Sequence, residues 1–274
     1  DDDFEKILVI TGYNIQIRKI SALDKNKGLE NVEIKVNNDT YKTDKNGYIQ
    51  KLGVFEITNG TSLQSFIIKE IATNDNNYVK LAKPIFLFIK TIEKENGALE
   101  FDGYYIDFTD TKPESNELFN KTNSTIYHTT DEKGNLVDIE IGISEDEQNI
   151  GNYILNVTIE NNVADLNYDL KINKQDEEGN AIDGTIFKVV SDNFYNKTNE
   201  SFKTVNGEAY IGKYTVSESN VNKKDTFIIE EIETPEKYYM LRDSIKLVVT
   251  KAIKKDKTGY EITNIKLVSG NKES

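Results

Sequence analysis

Apolar and polar residues alternate along this chain in short runs, each bounded by Asn, Asp, Gly or Lys. Tyr13–Lys19, Tyr153–Ile159 and Tyr168–Lys174 place apolar side chains at every second position, the period of a strand with one buried face. Few stretches sustain the longer period of an amphipathic helix. Turn signals at Asp44–Gly47, Asp131–Gly134, Asp176–Gly179 and Val205–Gly207 separate the runs at the spacing of a sandwich. The pattern predicts an all-β protein.

The runs recur. Tyr13–Lys19 answers Tyr168–Lys174, and each precedes a Gly-containing turn and a second strand, Val32–Val36 and Thr185–Val190. Tyr41–Gly47 answers Phe202–Gly207, and Phe66–Thr73 answers Phe227–Thr234. Three blocks in one order predict two copies of one domain. The expected layout is a lead-in over residues 1–10, a first domain over 11–165 and a second over 166–274, with the junction near 162–167. Val157–Asn161 and Tyr260–Asn264 are matched as the closing strands. On that match the first copy carries an insertion at about 97–152, which packs on its parent or forms a subdomain of its own and is free to hold a binding surface.

Alternation also decides which charged residues point inward. Lys19 and Lys174 end the apolar rows of the two first strands. Glu70 and Glu231 share a face with Phe66, Ile68 and Phe227, Ile229, and Asn161 and Asn264 share one with Val157, Ile159 and Tyr260, Ile262. Asn161 is preferred to Asn162 on the same ground. The plain reading is a buried ion pair with an Asn beside it, or strand ends that reach solvent. Recurrence of all three residue types in both copies points to chemistry. Apolar surroundings lower a lysine pKa and raise that of a glutamic acid. The neutral amine can then attack the carboxamide while the acid passes a proton to the departing ammonia. Folding supplies the proximity, so the event is a single autocatalytic maturation and not enzymatic turnover.

These residues carry a resemblance. Lys174–Asp176, Gly184–Phe187, Glu231–Tyr238 with its Pro235, and Ile262–Asn264 together resemble the collagen-adhesin B-type (Cna-B, prealbumin-like) domains of Gram-positive surface adhesins and pilins, including SpaA-type pilins. The resemblance implies two tandem inverse immunoglobulin-like β-sandwiches. It also implies isopeptide cross-links Lys174–Asn264 and Lys19–Asn161, with Glu231 and Glu70 as their catalytic acids. Copy one departs from the pattern, with Asn74 where the proline would stand; Asp107 is its alternative acceptor. Each bond would close a long loop and, by analogy with a disulfide, contribute about 4–5 kcal/mol.

Composition narrows the rest. The 274 residues include no cysteine or tryptophan and one histidine, His128. Thiolate nucleophiles, disulfides and sulfur-ligated metals are excluded, and a histidine metal triad is impossible. No metal or cofactor is expected. A net charge of −13 argues against nucleic acid, and no long apolar run predicts membrane contact. The acidic turns lack calcium-loop spacing, and N-x-S/T triplets such as Asn120–Thr122 are expected by chance in an Asn-rich chain. The expected setting is extracellular, on a cell-wall-anchored protein whose anchor and neighbouring domains lie outside this segment. The leading reading is an adhesin or pilus stalk. The alternative is direct binding of host matrix such as collagen through residues 97–152, and carbohydrate chemistry by a carboxylate pair ranks below both.

Overall fold

The computed structural model describes residues 13–49, 52–53, 62–96, 99–111, 119–121, 124–148, 152–269 and 272–273. Among them every regular element is a strand, and the chain divides into two compact units, Asp1–Val163 and Ala164–Ser274.

Unit 1 holds two sheets. The first runs in the order β2 (Asp24–Gly28), β1 (Tyr13–Ser21), β11 (Tyr153–Asn161), β10 (Leu136–Glu145), β9 (Ser124–Thr130), with β5 (Tyr48–Ile49) also paired to β1. The second runs β4 (Asp39–Lys42), β3 (Glu33–Val36), β6 (Ser62–Ala72), β7 (Ile85–Glu93), β8 (Leu99–Asp107). All pairings are antiparallel except β1 with β11, which lie parallel with Lys19 opposite Ile159 and Ser21 opposite Asn161. Alternation along each strand supplies the core: Ile15 and Ile17, Leu155, Val157 and Ile159, and Ile139 and Ile141 are buried on the first sheet. Ile34, Ile68, Leu87 and Tyr104 are their buried counterparts on the second.

Unit 2 pairs β12 (Leu166–Asn173) with β15 (Glu208–Val216). Its larger sheet runs β14 (Ser201–Lys203), β13 (Ile186–Asp192), β16 (Asp225–Glu233), β17 (Ile245–Ile253), β18 (Tyr260–Ser269), β19 (Lys272–Glu273). Phe187, Val189, Ile211, Phe227 and Ile229 form its core, with Leu170, Ile172 and Phe194 packed against them.

The pairings set the correspondence between units. β12 takes the place of β1, β15 of β5, and β13, β16, β17 and β18 take the places of β3, β6, β7 and β8. The matching of Val157–Asn161 with Tyr260–Asn264 does not hold in the pairings: each strand pairs with the one before it, but β11 also lies beside β1, whereas β18 has no described pairing with β12. Strand alternation is the same in either arrangement and carries no information about the neighbour. Of the two alternatives for 97–152, its described part takes the first and packs into the parent. β8 extends one sheet of unit 1, and β9 and β10 extend the other. Unit 2 has no described counterpart of β9, β10 or β11.

Candidate functional site

A shared turn device places the lysines. In unit 1 the Lys19 amide donates to Gly47 O at 2.8 Å, and the Leu29 amide donates to Lys19 O at 2.9 Å. In unit 2 Lys174 donates to Gly207 O at 2.7 Å and accepts from Ile182 N at 3.0 Å. Gly47 sits at φ 82°, and a Cβ there would fall 2.1 Å from Lys19 O, so only glycine permits this approach. The Thr of each preceding K-T pair fastens the loop from within. Thr43 Oγ1 accepts from Val32 N and donates to Leu29 O, and Thr204 Oγ1 accepts from Thr185 N and donates to Ile182 O. The repeated sequence blocks are thus the hydrogen bonds that hold each lysine at the end of its strand.

In unit 1 the three inward residues meet on one carboxylate. Lys19 Nζ lies 3.2 Å from Glu70 Oε2, and Asn161 Nδ2 donates to Glu70 Oε1 at 2.8 Å. The Leu81 amide donates to Glu70 Oε2 at 3.0 Å, and Val79 O accepts a second bond from Asn161 Nδ2 at 2.8 Å. Two acceptors fix which end of the carboxamide carries nitrogen. Lys19 and Asn161 are fully buried and Glu70 is 4% exposed. Burial pushes the Lys19 amine below its ordinary value, and the neighbouring Glu70 charge and hydrogen bond offset this only in part. Asn161 Oδ1 has no hydrogen-bond partner among the described residues. The arrangement gives a desolvated nucleophile, a carboxamide with its nitrogen held for departure, and a carboxyl group bridging the two.

Unit 2 repeats half of this. Lys174 Nζ lies 2.8 Å from Glu231 Oε2, and the Leu241 amide reaches the same oxygen at 3.4 Å. Asn264 is not there. It lies on β18 opposite Thr250, exposed, and no hydrogen bond joins it to the pair among the described residues. The expected Lys174–Asn264 set is therefore not brought together: β18 pairs with β17, and no pairing joins it to β12 among the described residues. Asp107, the alternative acceptor of unit 1, sits in β8 opposite Phe86 and accepts from Phe108 N and Thr109 Oγ1, in no hydrogen bond to Lys19 among the described residues.

Sequence reading missed a second buried pair in unit 2. Lys251 Nζ binds Asp225 Oδ2, which also accepts from Tyr214 OH, and both charged side chains are nearly inaccessible. The signal was present: Asp225 stands two residues before Phe227 on the inward row of β16. The carbonyl of Val79 had no such signal, since backbone groups in loops follow no side-chain pattern.

No protein-family model matches the chain, and no curated protein matches it. Among solved structures, a C-terminal fragment of the pilus adhesin SpaC from Lactobacillus rhamnosus GG aligns with 94% of this chain and 86% of its own, at 11% identity and TM-score 0.31. The open conformation of SpaC aligns with 95% of this chain and 28% of its own, at 13% identity and TM-score 0.30. A streptococcal ancillary pilin aligns with 87% and 58%, at 14% identity and TM-score 0.22. The all-β assignment rests on the chain's own strand topology.

Proposed function

We propose that the chain is a load-bearing, non-enzymatic segment of a Gram-positive surface adhesin or pilus, in which unit 1 staples itself by an amide bond between Lys19 and Asn161. The observation that carries the reading is the Glu70 carboxyl holding both amine and carboxamide inside the core. In the step proposed, Lys19 Nζ adds to Asn161 Cγ, the Cγ–Nδ2 bond breaks, and one lysine proton passes through Glu70 to the departing nitrogen. One amide forms and one ammonia leaves. The motif resemblance supplies the cell-surface setting, and the buried, reduction-proof staple suits a chain without cysteines.

Tryptic digestion with tandem mass spectrometry tests it. The wild-type protein is expected to yield one branched peptide joining the segments around Lys19 and Asn161. Asn161→Ala, which keeps the Lys19–Glu70 ion pair and removes only the acceptor, is expected to yield none. Linear peptides for both segments in the wild type would reject the reading.

A further inference from the structure

The turn Asp131–Gly134 joins β9 to β10, and its acid does more than close it. Asp131 Oδ1 accepts from Lys133 N and Asn135 N, both at 2.9 Å, and Oδ2 accepts from Asn135 Nδ2 at 3.2 Å. The turn at Asp176–Asn180, of the same D-E-x-G-N pattern, closes with the same three bonds. Those bonds therefore suffice for the turn. Asp131 takes a fourth from outside it: Asn162 Nδ2 donates to Oδ2 at 3.0 Å and also to Leu136 O at 3.0 Å. Asp131 is buried. Burial pushes its pKa up, but the donors from Asn162, Asn135 and Lys133 outweigh this and hold the carboxyl below its ordinary value.

Both halves of the unit 1 site are tied to this turn. Asn162 directly follows Asn161, and its carbonyl accepts from Val79 N at 2.9 Å. Val79 O in turn holds Asn161 Nδ2. On the other side Leu81, whose amide anchors Glu70 Oε2, is bridged to Asp131 itself. The Ala82 amide donates to Thr130 O at 3.0 Å and the Glu132 amide to Lys80 O at 2.9 Å, so the loop is held on both flanks of that bridge. Carboxamide and carboxyl group are thus referred to one turn.

Resting on the chemistry proposed for unit 1, we propose that Asp131 is a positioning residue for the Lys19–Asn161 bond. Its carboxylate fixes Asn162, and through Val79 it sets the Asn161 carboxamide against Glu70. The β9–β10 hairpin, drawn from 97–152, thereby serves the bond. Position matters here because the amine and the carboxamide react only at close approach, and an error of about 1 Å can cost a hundredfold in rate. Asp131→Asn separates the two tasks of the side chain. Its remaining oxygen can close the turn, while its amide nitrogen meets the Asn162 amide donor to donor. Asn162 cannot answer by turning its amide over, because its oxygen would then face Leu136 O.

The full chain, made by cell-free synthesis and chased at a series of pH values, is followed by time-resolved intact mass. The wild type, measured first, is expected to lose one ammonia, about 17 Da. Asp131→Asn and Asn162→Ala should each couple about ten- to a hundredfold more slowly at the plateau of the pH profile, with its midpoint unmoved. The two together should be no slower than the slower one alone, since both cut the same link. Stability is read separately in the Asn161→Ala background, where no bond forms. A role confined to the fold would lower that stability and leave folded protein coupling at the wild-type rate, which overturns the proposal. A moved midpoint also overturns it, by placing the effect on Lys19. Should Asp131→Asn not fold, Asn162→Ala carries the test. A wild type that does not couple rejects the reading of unit 1 itself, so the two failures are told apart.

Discussion

At the scale of single residues the account turns on Lys19, whose amine is held below its ordinary pKa chiefly by burial. The sign of the pH effect follows. In Asn161→Ala, where no bond forms, the unfolded lysine keeps a proton up to its ordinary pKa while the folded one releases it earlier. The unfolded state therefore binds more protons in the interval between, and stability rises with pH there. Chemical denaturation of that variant across the alkaline range should show this rise; a flat or falling profile would contradict it. The same shift governs the reaction. Freshly folded wild type should couple faster as pH rises, with its midpoint below that of a free lysine, as read by time-resolved intact mass. Glu70→Gln should abolish coupling at every pH. Lys19, Glu70 and Asn161 are legible in the sequence because alternation reports which face a residue occupies, while the Val79 carbonyl beside them is not.

At the scale of elements, the parallel pairing of β1 with β11 brings amine and carboxamide together, and no local sequence signal encodes it. Alternation reports a strand's face and not its neighbours, which is why Asn264 on β18 looks equivalent to Asn161 on β11, although only β11 pairs with the first strand of its unit among the described residues. The turn that seats Lys19 is legible: Asp44 Oδ1 accepts from Asn46 N and Tyr48 N, and Gly47 follows. Packing behind the bond is open to measurement. Ile159→Ala, made in the Asn161→Ala background so that no covalent link masks the effect, should cost about 2–5 kcal/mol by denaturant titration. The pair Asp225 and Lys251 behaves differently. Asp225→Ala strands a buried ammonium and should cost about 3–5 kcal/mol, whereas Asp225→Leu with Lys251→Met should be near neutral. Equal losses in the two variants would show that the charges themselves stabilise unit 2.

At the scale of the molecule, the proposed bond decides how unit 1 carries load. Tension entering along β1 would pass from Lys19 to Asn161 and leave by the following residues, so the chain from 20 to 160 would bear none of it. Single-molecule pulling should find about 50 nm of contour length missing from unit 1, restored in Glu70→Gln. By loop-closure entropy the same bond contributes about 5 kcal/mol. Unit 2, untouched by Glu70→Gln, should extend alike in both proteins. The most direct test of the whole is the intact mass of the purified chain. The account predicts a mass below that of the unmodified sequence by one ammonia, about 17 Da, with the link mapped to Lys19 and Asn161. A mass equal to that of the unmodified sequence would contradict the staple in unit 1.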